Sequence, residues 1–263
     1  MLPKLDLSLL IPTYNESDII ASTLEAVAKE LGDDLASRTE VMLVDDGTDS
    51  LPAVILDIAP RLPFASVECM RNAPPLGKGK SLARGFAHAR GPVVGFLDAD
   101  LSTPASYIRQ AYDVIRNDEA DLFIGSRRVA GAEVTREQSA IKDVLGDVLH
   151  VVVNGFIFSG GRKYRDTQCG FKFFKNKVAK VLYKDLVAGD GMTDVEVLVR
   201  ANMLKYRVKE VGVVWNDTRE SKRSLRRILV GEVKAISAIV LHYKILGGEK
   251  LRKLKSFSTG GMT

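Results

Sequence analysis

Two acidic clusters carry the sharpest chemical signal in this chain: Asp45-Asp46-Gly47 and Asp98-Ala99-Asp100, each directly behind a short apolar run, 41–44 and 93–97. Residues two apart at the end of a strand project to one side, so Asp98 and Asp100 can approach a single hard cation. Mg2+ or Mn2+ is commonly held by one or two carboxylates together with substrate phosphates, which is the donor set available here. At the other cluster Gly47 permits a tight turn, and one of the acids Asp45 and Asp46 can accept from ribose hydroxyls or a base N–H. Helix capping would explain one of the three acids Asp45, Asp46 and Asp49, not all of them. The pair of clusters points to one crevice holding a divalent metal and a phosphorylated nucleotide.

Other groups have the right types but admit plainer readings. Pro12-Thr13-Tyr14-Asn15-Glu16 puts a ring and a carboxylate behind the first apolar run. They can stack on and hydrogen-bond a nucleoside, or simply turn the chain and cap the next helix. Gly77-Lys78-Gly79-Lys80-Ser81 is not a Walker A loop, because Pro74 stands where that pattern requires its first glycine. A lysine-bearing glycine turn at a helix start can still meet an anion through backbone N–H groups. Arg127 and Arg128 follow another strand and are placed for phosphate or for ordinary surface charge. Asp194-Val195-Glu196 offers a proton acceptor, or a first helical turn favoured by the dipole. On a helix, residues two apart diverge by about 200°, so only one of Asp194 and Glu196 can face the crevice, and Asp194 is the candidate.

The elements that must hold these groups read as strand and helix in alternation. Apolar runs at 7–11, 41–44, 66–70, 93–97 and 122–125 are mostly unalternated, as in strands covered on both faces. Helical patterns intervene at 17–30, with Asn15 and Ser17 as candidate N-caps, and at 51–59, 77–90 and 104–117. This predicts an α/β fold with a mostly parallel central sheet, in which ligands bind beyond the carboxyl ends of the strands. After Arg128 the rhythm changes to a long helical stretch at 137–158, Gly160-Gly161, a strand at 170–175, a helix at 194–205 and an apolar run at 211–215. The expected division is one catalytic domain over 1–218, with a nucleotide half at 1–128 and an acceptor half at 129–218. A basic helical extension at 219–255 and a disordered tail at 256–263 follow.

Composition narrows the class. The 263 residues suffice for one large core, and a net charge of +5 matters only where it is concentrated. It is concentrated late: residues 219–255 hold eleven Lys or Arg against three Glu, with Leu225, Leu229, Val233, Ile236, Val240 and Tyr243 at spacings of three and four. That is a basic amphipathic helix, either packed on the domain with a solvated face or docked on an anionic membrane surface, with 138–158 as a second apolar surface. Poor aromatic interleaving argues against a nucleic-acid partner. Cys69 and Cys169 are too few and too isolated for a disulfide framework, and the three histidines show no metal-ligand spacing. No stretch reaches the roughly 18 apolar residues of a spanning helix, so the expected location is cytoplasmic, peripheral on the cytoplasmic face of a membrane.

Taken in order, these motifs resemble glycosyltransferase family 2, the inverting, nucleotide-sugar-dependent enzymes of GT-A fold. The resemblance runs from Leu7 to Lys222 through Pro-Thr-Tyr-Asn-Glu at 12–16, Asp-Asp-Gly at 45–47, Gly-Lys-Gly at 77–79, Asp-Ala-Asp-Leu at 98–101 and Gly-Ser-Arg at 125–127. The string Asp166-Thr167-Gln168-Cys169-Gly170-Phe171-Lys172, followed by Asp194-Val195-Glu196 and by Trp215 ahead of Ser221-Lys222, is similar to the dolichyl-phosphate β-glucosyltransferase branch and its mannosyltransferase relatives. The resemblance implies that Pro12, Tyr14, Glu16 and Asp46 line a nucleotide pocket, that Asp98 and Asp100 hold Mg2+ or Mn2+ against the diphosphate, and that Arg127 and Lys222 meet phosphate. It implies a hexose moved from UDP-glucose, or alternatively GDP-mannose, to polyprenyl or dolichyl phosphate. A soluble saccharide acceptor, with Asp194 as general base, is the other reading. Thr48 and Glu220 depart from the family pattern, which has serine and glycine there, and none of the membrane anchors often attached to such enzymes is expected from these residues.

Overall fold

The computed structural model describes residues 4–135, 161–188, 191–216 and 225–245. The expected helix at 137–158, Gly160, Glu220, Ser221, Lys222 and the tail at 256–263 lie outside the described residues.

The first half is the anticipated alternation. Strand β1 (Leu7–Thr13) leads to helix α1 (Ile20–Ala36), β2 (Thr39–Asp45), α2 (Leu51–Ile58), β3 (Ser66–Arg71), α3 (Lys78–His88), β4 (Val93–Leu97), α4 (Tyr107–Arg116) and β5 (Leu122–Ser126). A short β6 (Glu133–Val134) follows, then β7 (Phe171–Lys175), α5 (Asn176–Leu182), α6 (Thr193–Met203), β8 (Val208–Gly212), β9 (Val214–Trp215) and α7 (Leu225–Ile239), which continues as a wider π-helical segment, Val240–Ile245.

Seven strands form one sheet in the order β3-β2-β1-β4-β7-β5-β8, and β6 pairs with β9 in a separate ribbon. All pairings in the main sheet are parallel except those of β7, which runs antiparallel between β4 and β5. The chain steps outward from β1 to β2 and β3, then α3 carries it back to β4 on the other side of β1. The strand order therefore reverses between β1 and β4, where a doubly wound sheet opens a crevice beyond its carboxyl ends.

Strands β2, β4 and β5 are buried along their whole length, because helices cover both faces of the sheet. One core layer joins Leu10, Val44, Phe96 and Phe174 to α3, α5 and α6, and includes Ile239 and Tyr243 from the C-terminal helical segment. The other joins Leu9, Ile11, Leu43 and Phe173 to α1, α2 and α4. The side-chain alternation of each strand thus feeds both layers.

Two local expectations change. Neither Asn15 nor Ser17 caps α1, which starts after Ile19 without a side-chain cap and runs past an interruption at Gly32. Asn15 instead takes a left-handed φ of 58°, and its side-chain oxygen accepts the N–H groups of Thr48 (2.8 Å) and Asp49 (3.2 Å). It ties the β1 turn to the β2 turn, a long-range contact that helix-start statistics do not contain. The apolar run at 211–215 divides between β8 and β9.

Candidate active site

The candidate residues stand at the carboxyl ends of β2, β1, β4 and β5, in the loop entering β7, and in the first turns of α3 and α6. At β1, Pro12 is half-buried, Tyr14 projects with 64% of its surface exposed, and Glu16 is half-buried at the approach to α1.

The acids of β2 turn inward. Asp45 is 0% exposed; its carboxylate accepts from Thr13 Oγ1 (3.1 Å), Gly47 N (2.9 Å) and Arg71 Nε (2.7 Å). Asp46, also buried, accepts from Asn72 Nδ2 (2.8 Å), Leu76 N (3.0 Å), Gly77 N (2.7 Å) and Ser81 Oγ (3.0 Å). A buried carboxylate needs this many donors to offset its lost hydration. In return, Asp46 fixes the loop before α3 and hence the start of that helix, where Lys78 stands.

The acids of β4 stay open. The Asp98 side chain is 35% exposed, and Asp100 is half-buried. Their turn is held by Thr23 Oγ1 donating to Ala99 O (2.6 Å) and by Leu101, at a left-handed φ of 51°, donating its N–H to Asp98 O (3.1 Å). Asp100 Oδ1 accepts from Ser102 N (2.9 Å) and Oγ (2.7 Å). Asp98 Oδ1 accepts from the Lys78 ammonium at 2.5 Å. Opposite, Gly170 leaves the space that Asp98 occupies: a Cβ there would stand 1.8 Å from Asp98 Oδ2. This all-oxygen pair suits a hard divalent cation. Among the described residues no group of three or more His, Cys, Asp or Glu converges, so such a cation would complete its shell with substrate oxygens and water.

At the end of β5, Arg127 is gripped by Asp166 through Nε (2.6 Å), Nη2 (3.0 Å) and its backbone N–H (3.0 Å), with its guanidinium 5.1 Å from the Trp215 ring centroid. Burial works to raise the Asp166 carboxyl, but the Arg127 hydrogen bonds and charge outweigh it and bring it down to about 2. The β6–β9 ribbon supplies Trp215, so this small element presents one wall of the arginine site.

The first turn of α6 completes the crevice. Asp194 accepts from Lys172 Nζ (2.7 Å), and Lys172, 0% exposed on β7, also donates to Cys169 O (2.6 Å). Glu196 points the other way: fully buried, it accepts from Val187 N (3.0 Å), Ala188 N (2.6 Å) and Tyr243 OH (2.5 Å) and pairs with Arg200 Nη2 (2.8 Å). Asp194 keeps 18% of its side-chain surface exposed while Glu196 is buried, the divergence that helical geometry requires of residues two apart. The first turns of α3 and α6 touch closely, since a Cβ on Gly79 would fall 2.1 Å from Thr193 Oγ1.

Of the residues singled out from the sequence, the structure sets Lys78 on Asp98 and within electrostatic reach of Asp194, with Arg127 in reach of Asp98. Sequence reasoning missed the groups that hold them: Asn72 and Ser81 beneath Asp46, Asp166 beside Arg127, and Lys172 beside Asp194. A lysine within the phenylalanine-rich strand Phe-Lys-Phe-Phe-Lys was the available signal, because a buried ammonium requires a counter-charge. Both cysteines are free, as expected.

Comparison with known proteins agrees with this architecture. The dolichyl-phosphate beta-glucosyltransferase of Saccharomyces cerevisiae is 31% identical over 234 residues, covering 83% of this chain and 69% of that protein. A dolichyl-phosphate beta-glucosyltransferase of Trichomonas vaginalis is 28% identical over 232 residues, covering 85% of this chain and 69% of that one. Among solved structures, the glucosyl-3-phosphoglycerate synthase of Mycobacterium tuberculosis, in complex with Mn2+, UDP and glucosyl-3-phosphoglycerate, superposes with a TM-score of 0.61 at 15% identity, covering 89% of this chain and 78% of that one. At that identity the likeness concerns the fold alone, which is GT-A. The family model described as glycosyl transferase family 2 matches residues 8–182, and the chain belongs to that family of glycosyltransferases.

Proposed function

We propose that this glycosyltransferase moves a hexose, with inversion, from a nucleotide sugar, foremost UDP-glucose, to a polyprenyl phosphate such as dolichyl phosphate. The observation that carries this reading is the identity of about 30% shared along most of the chain with relatives named for that transfer. In this reading Pro12, Tyr14 and Glu16 flank the nucleoside, while Asp45 and Asp46 act through the turn and loop they fasten. Asp98 and Asp100 would hold Mg2+ or Mn2+, which when bound neutralises charge developing on the departing diphosphate.

The chain's own cations do related work. Lys78 and Arg127 border the opening and face the anionic groups of donor and acceptor, and Lys222, outside the described residues, remains a phosphate candidate from the family resemblance. Asp194 is the counter-ion of a fully buried ammonium, Lys172. Neutralising Asp194 would strand that charge, so an acceptor that arrives already ionised suits this crevice better than an alcohol needing a proton acceptor. A lipid phosphate is such an acceptor.

Peripheral membrane association on the cytoplasmic face fits this acceptor. Among the described residues no helix is long and apolar enough to cross a membrane. The C-terminal helical segment docks by Ala235, Ile239 and Tyr243 while Val233 and Leu241 remain exposed, leaving apolar groups on its outer side.

The test is to supply Mn2+ or Mg2+ and a panel of nucleotide sugars, with either polyprenyl phosphate or soluble glycans as acceptor. UDP release from UDP-glucose with formation of a glucosyl lipid is the expected result. Transfer only to a soluble glycan would overturn the lipid reading, and transfer only from GDP-mannose would overturn the donor. Asp194→Asn leaves the buried Lys172 ammonium without its counter-charge, so thermal melts accompany the assay: variant protein that still folds should retain measurable transfer to a lipid phosphate, whereas transfer to an alcohol through a general base should be abolished.

A further inference from the structure

The two crevice lysines hold their aspartates in different ways. Lys172 is 0% exposed, bonded to both Cys169 O and Asp194, with its ammonium 5.6 Å from the Phe96 ring centroid. Lys78 approaches the same ring at 5.5 Å, yet its side chain is 40% exposed and that of its partner Asp98 is 35% exposed. Its backbone is fixed, because Asp46 holds the N–H groups of Leu76 and Gly77, while its four-carbon stem has rotatable bonds and a part-exposed path along which the ammonium can be re-aimed. One lysine is walled in, and the other stands at a door.

We propose that Lys78 is a displaceable counter-ion: it occupies the Asp98 carboxylate in the free enzyme and leaves it for the donor diphosphate when a divalent cation binds. The inference rests on the metal and diphosphate reading above and adds an order of events to it. Lys78 Nζ lies 2.5 Å from Asp98 Oδ1, where a divalent cation coordinated by that oxygen would meet an ammonium at contact distance. Two cations so close repel strongly, so one must move. Among the described residues, the other carboxylate whose charge acts on Lys78 is Asp194, which Lys172 already neutralises, so without nucleotide a displaced Lys78 gains no unpaired anion there. With the diphosphate present, Lys78 gains a new anion. Metal binding is thereby made conditional on nucleotide, and by linkage nucleotide binding on metal.

The experiment is Mn2+ titration of the full chain, read by loss of the free hexaaqua-ion paramagnetic resonance signal, with and without UDP. Lys78→Met and Lys78→Gln are compared with the unaltered protein, and thermal melts report folding. Without UDP, both variants should bind Mn2+ on the order of tenfold more tightly than the unaltered chain, and the tightening that UDP produces should shrink by a similar factor, within the roughly 5–150-fold range of such couplings. Adding Asp98→Asn should erase the gain. Unchanged or weaker Mn2+ binding in both variants without UDP overturns the proposal. So does independence of Mn2+ and UDP in the unaltered chain, a measurement that needs no variant to fold. Mn2+ binding absent in every protein sinks this proposal together with the metal assignment. Tighter binding in the variants, alongside failure of glucosyl transfer to lipid, sinks only the substrate reading.

Discussion

The tips of β2 and β4 carry nearly the same sequence, an apolar strand running into paired aspartates, yet they do opposite things. Asp45 and Asp46 are sealed, and every contact described above for them is with the protein's own donors. Asp98 and Asp100 remain partly open, and Asp98 has a mobile type of partner in Lys78. The difference comes from what lies beyond each tip. β2 has β3 on its outer side, which brings Arg71 and Asn72 over the acids, whereas β4 lies at the strand-order reversal, where Gly170 and Lys78 adjoin Asp98 but leave its side chain 35% exposed. Topology, more than the local string, sets how far each carboxylate pair is covered.

The largest test of this contrast is the double variant Asp98→Ala, Asp100→Ala. Transfer should fall by about a thousandfold, the scale of losing a preorganised electrostatic stabiliser, while the melting temperature moves little. Intact transfer would remove β4 from the chemistry. The mirror experiment is Asp45→Ala, which strands Arg71 and the Gly47 N–H. It should cost about 2–3 kcal/mol in urea unfolding, with kcat reduced far less than in the β4 variant.

A third test concerns Asp166, sealed like the β2 acids but gripping Arg127 at the rim. Its carboxyl is lowered to about 2 from an ordinary 3.8, so the pair's stabilisation is complete above pH ~4 and is lost as pH falls toward 2. Asp166→Asn should flatten that acid limb by about 2 kcal/mol in stability measured from pH 2 to 5. Smallest of all, Tyr14→Ala between the two tips should raise the donor KM about fivefold through loss of a stacking surface, with stability changed by no more than about 0.5 kcal/mol.

Much of this was legible in the residues. Unalternated runs such as 93–97 and 122–125 announced strands covered on both faces, and the opposite faces of Asp194 and Glu196 followed from helical pitch alone. The motif spacing carried the family. Other features were not legible because they depend on residues far apart in the chain. Asn15 looked like a helix cap until its partners proved to be Thr48 and Asp49. Lys172 was one letter in a motif until β7 inserted it between β4 and β5, beside Phe96 and Asp194.

By itself, then, the sequence determined the strand and helix succession, the acidic strand ends and the family, because each is written in local periodicity and in short strings of chemically apt residues. Only the tertiary structure decided which acids are sealed and which lysine neutralises which carboxylate. Burial and ion pairing are set by neighbours 20 to 40 positions away, as with Arg71 on Asp45, Lys78 on Asp98 and Lys172 on Asp194. Charge becomes function or scaffold according to the water each group can still reach.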